Sequence, residues 1–140
     1  MSTEENKAVV RRFVQVWGKG SPDIVDELAA PNFSVYYPFL RETLHGPEAF
    51  KHHLMGLHVG LPDVEVVNEQ MIAEGDEVAV RWTMRGTHTG ELSGIPPTGK
   101  QVMVTGITIY HLADGKVVEE RGQEDALGLL QQLGVIPAVG

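Results

Sequence analysis

The sequence predicts an α+β fold in which about three N-terminal helices lie on one face of a curved antiparallel sheet. Two observations carry this. Apolar residues recur at helical spacing as far as Gly60, whereas valine, threonine and isoleucine dominate after Asp63, where Gly- and Asp-bearing turn signals cut the chain into strands. Helices first and strands later is the order of an α+β protein, not of alternating βαβ units.

Ser2 and Glu5 stand at capping-box spacing, and Val9, Val10, Phe13, Val16 and Trp17 continue one apolar stripe that Gly18 and Gly20 end. Ser21 with Pro22 opens a short second helix carrying Ile24, Val25 and Leu28, which Pro31 stops. A strand is expected over residues 33–37. Pro47 starts a third helix with Phe50, Leu54 and Leu57 on its apolar side and Gly60 and Pro62 at its end. Beyond Asp63, turn signals at Glu74-Gly75-Asp76, at 90–100 and at Asp114-Gly115 leave four strands in a meander, and residues 125–134 make a last short helical turn. No linker or repeat interrupts the chain, so one domain over residues 1–140 is expected.

Composition narrows the function classes. The 140 residues include no cysteine, which excludes disulfides, thiol nucleophiles and cysteine-bound metals. A formal net charge of −8 argues against a nucleic-acid partner, since phosphate binding needs the opposite sign. No apolar run approaches a bilayer span, and the first residues lack a basic start followed by an apolar run, so no membrane partner and a cytoplasmic address are expected. His52 and His53 are adjacent and His58 is at neither's i+4 position, so no metal is expected. The glycines at 86, 90, 94 and 99 precede no helix and are turn residues, not a phosphate cradle.

The last hairpin places chemistry together. With Asp114 and Gly115 as a two-residue turn, Leu112 pairs with Val117, Tyr110 with Glu119, Thr108 with Arg121, Gly106 with Gln123 and Val104 with Asp125, all on one face. The other face carries Met103, Thr105, Ile107, Ile109 and Val118. Both faces therefore hold apolar groups and need cover, one from the helices and the other from a second copy, which predicts a homodimer. On the first face Arg121, Gln123 and Asp125 put polar groups deep. Apolar walls would push the Asp125 carboxyl toward its neutral form, whereas a neighbouring guanidinium would hold it ionised. Asp125 equally suits the cap of the helix beginning at Ala126, and spacing alone leaves the two roles open.

The runs GTHTGELSGIPPTGK at 86–100, VTGI at 104–107, ADGKVVE at 113–119 and DALGLLQQLG at 125–134 together resemble the SnoaL-like polyketide cyclase family, within the wider group shaped like nuclear transport factor 2. The resemblance covers nearly the whole chain. It implies a cone-shaped sheet with a deep pocket between its concave face and the helices, a dimer through the outer side, and cofactor-free, metal-free acid/base catalysis of an intramolecular aldol closure. Asp125 matches the family's acidic position. Arg121 stands where relatives often carry Trp, Thr108 where an acid or His is frequent, and Tyr36 where a His commonly precedes the x-Pro pair.

The catalytic expectation is therefore Asp125 as acid/base with Arg121 polarising or holding an anion through a forked pair of hydrogen bonds. Tyr36, His53, Arg81, Thr108 and Gln123 are the expected substrate-binding residues, and the ligand is a small carbonyl compound of largely apolar character. Two other readings stand beside it. One is a binding protein without catalysis, since fold alone does not decide function. The other is a hydrolase resembling the epoxide hydrolases of the same fold group, which place Arg and Asp alternately on a middle strand; here Arg81 is followed at that spacing by Thr83, so the set is incomplete.

Overall fold

The computed structural model describes residues 1–137. Helix α1 (Thr3–Phe13) starts at the expected capping box, with Ser2 Oγ accepting from the Glu5 amide at 3.0 Å and the Glu5 carboxylate accepting from the Ser2 amide at 3.1 Å. A 3-10 turn over Val14–Trp17 follows, so Trp17 leaves the α-helical course before Gly18. Then come α2 (Asp23–Leu28), β1 (Ala29–Tyr36), the short β2 (Leu44–His45), and α3 (Pro47–Gly60) with its proline in the first turn. Strands β3 (Glu65–Glu74), β4 (Glu77–Thr87), β5 (Gln101–Ala113) and β6 (Lys116–Glu124) are the expected meander, and α4 (Ala126–Gln132) is the last element among the described residues.

The six strands form one sheet in the order β2-β1-β6-β5-β4-β3, antiparallel except where β1 runs parallel to β6. The sheet is thus mixed, because the first strand enters beside the last through α2 and α3 and cannot join the meander as a hairpin. β1 also begins at Ala29, earlier than expected. Pro31 lies within a stretch where the β1–β6 register shifts, a place where a missing amide removes no ladder bond.

The core lies between the helices and one sheet face. Phe13 packs edge-on against Phe33 and Tyr110 and stacks on Phe50 at 5.9 Å, joining α1, β1, β5 and α3 through fully buried rings. A second cluster around Leu57, Leu61, Leu92, Val104 and Leu129 holds the 90–100 loop and α4 against the other end. Between the clusters, the sheet face is not filled.

The β5–β6 hairpin departs from the expected register. Asp114 (φ 51°) and Gly115 (φ 76°) do form the tight turn, and Leu112 does pair with Val117. The next pair, however, is His111 with Glu119, so Val118 is the extra residue of a β-bulge. From there Tyr110 faces Glu120, Thr108 faces Gly122 and Gly106 faces Glu124. Because side chains alternate with period two, one inserted residue exchanges the faces of everything after it. Gly122 shows what the bulge accomplishes: a Cβ there would lie 2.1 Å from the Tyr37 ring and 2.6 Å from Thr108 Oγ1, so only glycine admits the tyrosine.

Candidate active site

The unfilled part of the sheet face is a cavity of about 140 Å³ walled mainly by Trp17, Tyr37, Trp82, Tyr110, Leu57 and Met84, with Leu92 and Ser93 of the 90–100 loop closing one side. Its polar lining comes chiefly from His53, Asn68 and Glu124. One cross-strand row explains the floor. Asn68 pairs with Trp82, Trp82 with Gly106, and Gly106 with Glu124, so four strands place an amide, an indole, a bare backbone and a carboxyl side by side. A Cβ on Gly106 would meet the Trp82 ring at 2.3 Å, which is why the indole can lie across the strand there.

Beneath this floor runs a hydrogen-bonded chain whose direction is forced by its ends. Trp82 Nε1 donates to Thr108 Oγ1 (2.9 Å), Thr108 meets the Tyr37 hydroxyl (2.8 Å), Tyr37 donates to Glu120 Oε2 (2.5 Å), and Trp17 Nε1 donates to the same oxygen (2.7 Å). Tyr37 spends its one proton on Glu120, so in the bond with Thr108 it accepts, and the Thr108 hydroxyl donates to Tyr37 while accepting from Trp82. Glu120 is the common acceptor. It is completely buried and its other oxygen has no partner among the described residues, so burial pushes its pKa up to about 8 against the lowering effect of Tyr37 and Trp17. At neutral pH the carboxyl is largely protonated, and its proton belongs on the unpartnered oxygen. Tyr37, also buried, is held well above the usual phenol range, first by burial and then by the Glu120 charge.

Glu124 is placed differently. It lines the cavity and is only partly buried; Oε1 accepts from the Phe39 amide at 2.8 Å, and Oε2 is unpartnered among the described residues. Burial raises its pKa, with the Phe39 amide pulling the other way. His53 reaches the cavity from α3, edge-on to Trp17 at 5.8 Å, and burial followed by the nearby His52 charge lowers its pKa, so its imidazole is neutral at pH 7. A carboxyl with one free oxygen and a neutral imidazole thus share an apolar enclosure. Such a pair can move a proton and hold a carbonyl oxygen.

The family model for SnoaL-like polyketide cyclases matches residues 7–133. The chain belongs to this family. An aklanonic acid methyl ester cyclase of Streptomyces galilaeus is 30% identical over 131 residues, covering 93% of this chain and 91% of the relative. The crystal structure of a candidate SnoaL-like polyketide cyclase from Jannaschia sp. CCS1 superposes with a TM-score of 0.87 at 31% identity, covering 96% of this chain and 95% of that one. A protein with a ketosteroid isomerase-like fold from Catenulispora acidiphila, 17% identical, matches at 0.75 over 90% of this chain and 92% of its own, which shows the shared fold alone. The α+β fold is accordingly the nuclear transport factor 2-like one of the SnoaL-like family.

Within this SnoaL-like chain, the bulge at Val118 corrects the expected positions on β6. Asp125 is exposed and caps α4, its Oδ1 accepting from the Gly128 amide at 2.9 Å, so the helix-cap role is the one the geometry supplies. Arg121 and Gln123 lie exposed on the outer face, where the Arg121 guanidinium sits 5.2 Å from the Tyr36 ring centre. Tyr36 therefore faces outward too, and its neighbour Tyr37 enters the cavity. Arg81 is exposed and donates from Nε to Gln70 at 3.4 Å. Thr108 points inward as expected but is fully buried beneath the lining, a relay for Tyr37 and Trp82. Of the expected binding residues, His53 alone lines the cavity.

Two groups missed by the sequence reading had different visibility. Tyr37 follows Phe33 and Val35 at the strand period, so extending that alternation would have turned it inward. Glu120 and Glu124 had no such signal, since the unbulged hairpin sends both outward. His88 is fully buried and its Nδ1 accepts from the Thr98 amide at 3.2 Å, so it pins the 90–100 loop. Among the described residues, no cluster of three or more His, Asp and Glu side chains converges, and no helix is long and apolar enough to cross a membrane.

Proposed function

We propose that this chain is a cofactor-independent cyclase that closes a ring by intramolecular aldol addition in a small, largely apolar carbonyl compound of the polyketide ester class, acting in the cytoplasm as one SnoaL-like domain. The observation that carries the reading is the half-buried Glu124 carboxyl on the wall of an apolar cavity, with Oε1 fixed by the Phe39 amide and Oε2 buried without a partner among the described residues. Relatives named as aklanonic and nogalonic acid methyl ester cyclases support the substrate class.

Glu124, once ionised, takes the proton from a carbon beside a carbonyl, and the neutral His53 donates a hydrogen bond to the enolate oxygen that develops. The enolate carbon then bonds to a second carbonyl carbon of the same molecule, and the alkoxide recovers the proton from Glu124. Nothing is lost or gained, so product and substrate have equal mass. Tyr37 and Trp82 have their donors committed to the buried chain and serve as walls whose orientation Glu120 and Thr108 hold. Incubation with aklanonic acid methyl ester should give a new isomer of the same mass. Ester returned unchanged, or a product heavier by one water, would replace this reading with binding or hydrolysis.

The same proposal includes a homodimer through the outer sheet face, supported by Met103, Ile107 and Ile109 on β5, which are 45%, 53% and 46% exposed. Ile107→Lys should leave a folded monomer by light scattering. A wild-type protein that is already monomeric at micromolar concentration would remove the dimer.

A further inference from the structure

We infer that the apolar cavity and a second, polar hollow beside it form one elongated site for an amphiphilic ligand, whose flat apolar body lies over Trp82 and whose anionic group is held at Arg11 and Lys19. The second hollow, of about 540 Å³, opens between the 3-10 turn and β3, the edge strand of the sheet. Val14, Val66 and Asn68 line both hollows, so the two meet along this shared wall. Their linings differ in kind. The first is aromatic and aliphatic; the second adds Arg11, Gln15, Lys19 and Glu65.

Local structure fixes this gap. Gly20 is packed so closely on Gln15 that a Cβ would lie 2.6 Å from that side chain, and a Cβ on Gly18 would lie 3.5 Å from the Val66 amide nitrogen. The 3-10 turn is thereby held beside β3 at one end, while α1 carries Arg11 along the other. In a chain of net charge −8 the rim carries two cations against the single carboxylate of Glu65, which Lys19 engages at 3.0 Å. Arg11 has no ion-pair partner among the described residues, so its guanidinium is available to an incoming anion. Asn68 has no side-chain hydrogen bond among them either, and it begins the row that ends at Glu124. Three interstrand steps separate those two residues by about 14 Å. A ligand that spans the row meets a carboxyl at its reacting end and an amide followed by cations at the other.

This inference deepens the proposed function by describing the end of the substrate that takes no part in bond formation, and its test reads binding alone, so it fails or stands separately from turnover. The probes are 8-anilinonaphthalene-1-sulfonate and N-phenyl-1-naphthylamine, the same aromatic body with and without an anionic group. The chain's two tryptophans, Trp17 and Trp82, both line the apolar cavity, so energy transfer from indole to probe reports occupancy there. The double variant Arg11→Gln with Lys19→Gln, at exposed positions, should bind the sulfonate about tenfold more weakly, about 1.4 kcal/mol, and the neutral probe as wild type does. Raising the salt should weaken the sulfonate on the wild type alone. Equal affinity of the double variant for the sulfonate, equal losses for both probes, or transfer from neither would overturn the inference.

Discussion

Glu124→Gln is expected to lower turnover by about two to four orders of magnitude while ligand affinity changes little. The amide keeps an oxygen to accept from the Phe39 amide, so the side chain holds its place, but it can neither take the substrate proton nor return it. Asp125→Asn is the informative neighbour. Asn caps helices about as well as Asp, and Asp125 is exposed and turned to the Gly128 amide, so that variant should retain both fold and turnover. The wild-type pH profile should carry the same signature, because burial raises the Glu124 pKa and so moves the rising limb above the ordinary carboxylate range. Turnover by Glu124→Gln at the wild-type rate, or its loss in Asp125→Asn instead, would assign the proton transfer elsewhere.

The second large effect is on stability and its pH dependence. Glu120 has a folded pKa of about 8 against 4.5 for the free side chain, so between those values the unfolded chain holds fewer protons than the native one. Stability must then fall as pH rises through this window, being fully present below the unfolded value and lost above the folded one. At full effect the loss is on the order of a few kcal/mol. Glu120→Gln reproduces the shape of the neutral acid, accepts from Trp17 and Tyr37 as before, and cannot ionise. Denaturant unfolding should show the variant close to wild type near pH 4 and clearly more stable near pH 8, with a weaker residual slope from Glu124, whose raised pKa acts in the same direction. Parallel stability curves for the two proteins would show that Glu120 does not ionise within this window. A carboxyl that lowers stability at neutral pH is a positioning residue for Tyr37, and the relay through Thr108 ties it to Trp82 in the cavity floor.

Local signals in the chain were sufficient for much of the fold. The Ser2–Glu5 capping box, Pro47 in the first turn of α3 and the Asp114-Gly115 turn all act within a few residues, and each is found where its chemistry puts it, whereas the apolar stripe expected to run helically to Trp17 leaves the α-helix after Phe13. The alternation along β5 likewise turned Val104, Thr108, Tyr110 and Leu112 inward, as their burial shows. Membership of the SnoaL-like family was legible for a related reason, since the 86–100 loop and the 125–134 tail are contiguous runs. His53 entered the site because one helical face had only one core to meet.

What the sequence alone determined is therefore the order of elements, their turns and caps, the face of each helix and the family. Only the tertiary structure decided which carboxyls enter the cavity. The bulge at Val118 turns Glu124 to the cavity and Glu120 into the buried chain beneath its floor, and leaves Arg121, Gln123 and Asp125 out; the partners of Glu120 are remote, since Tyr37 and Trp17 lie 83 and 103 residues before it in the chain. A strand has two faces and no local preference strong enough to choose between them, so a single inserted residue, favoured by where a distant ring must fit against Gly122, reverses the choice.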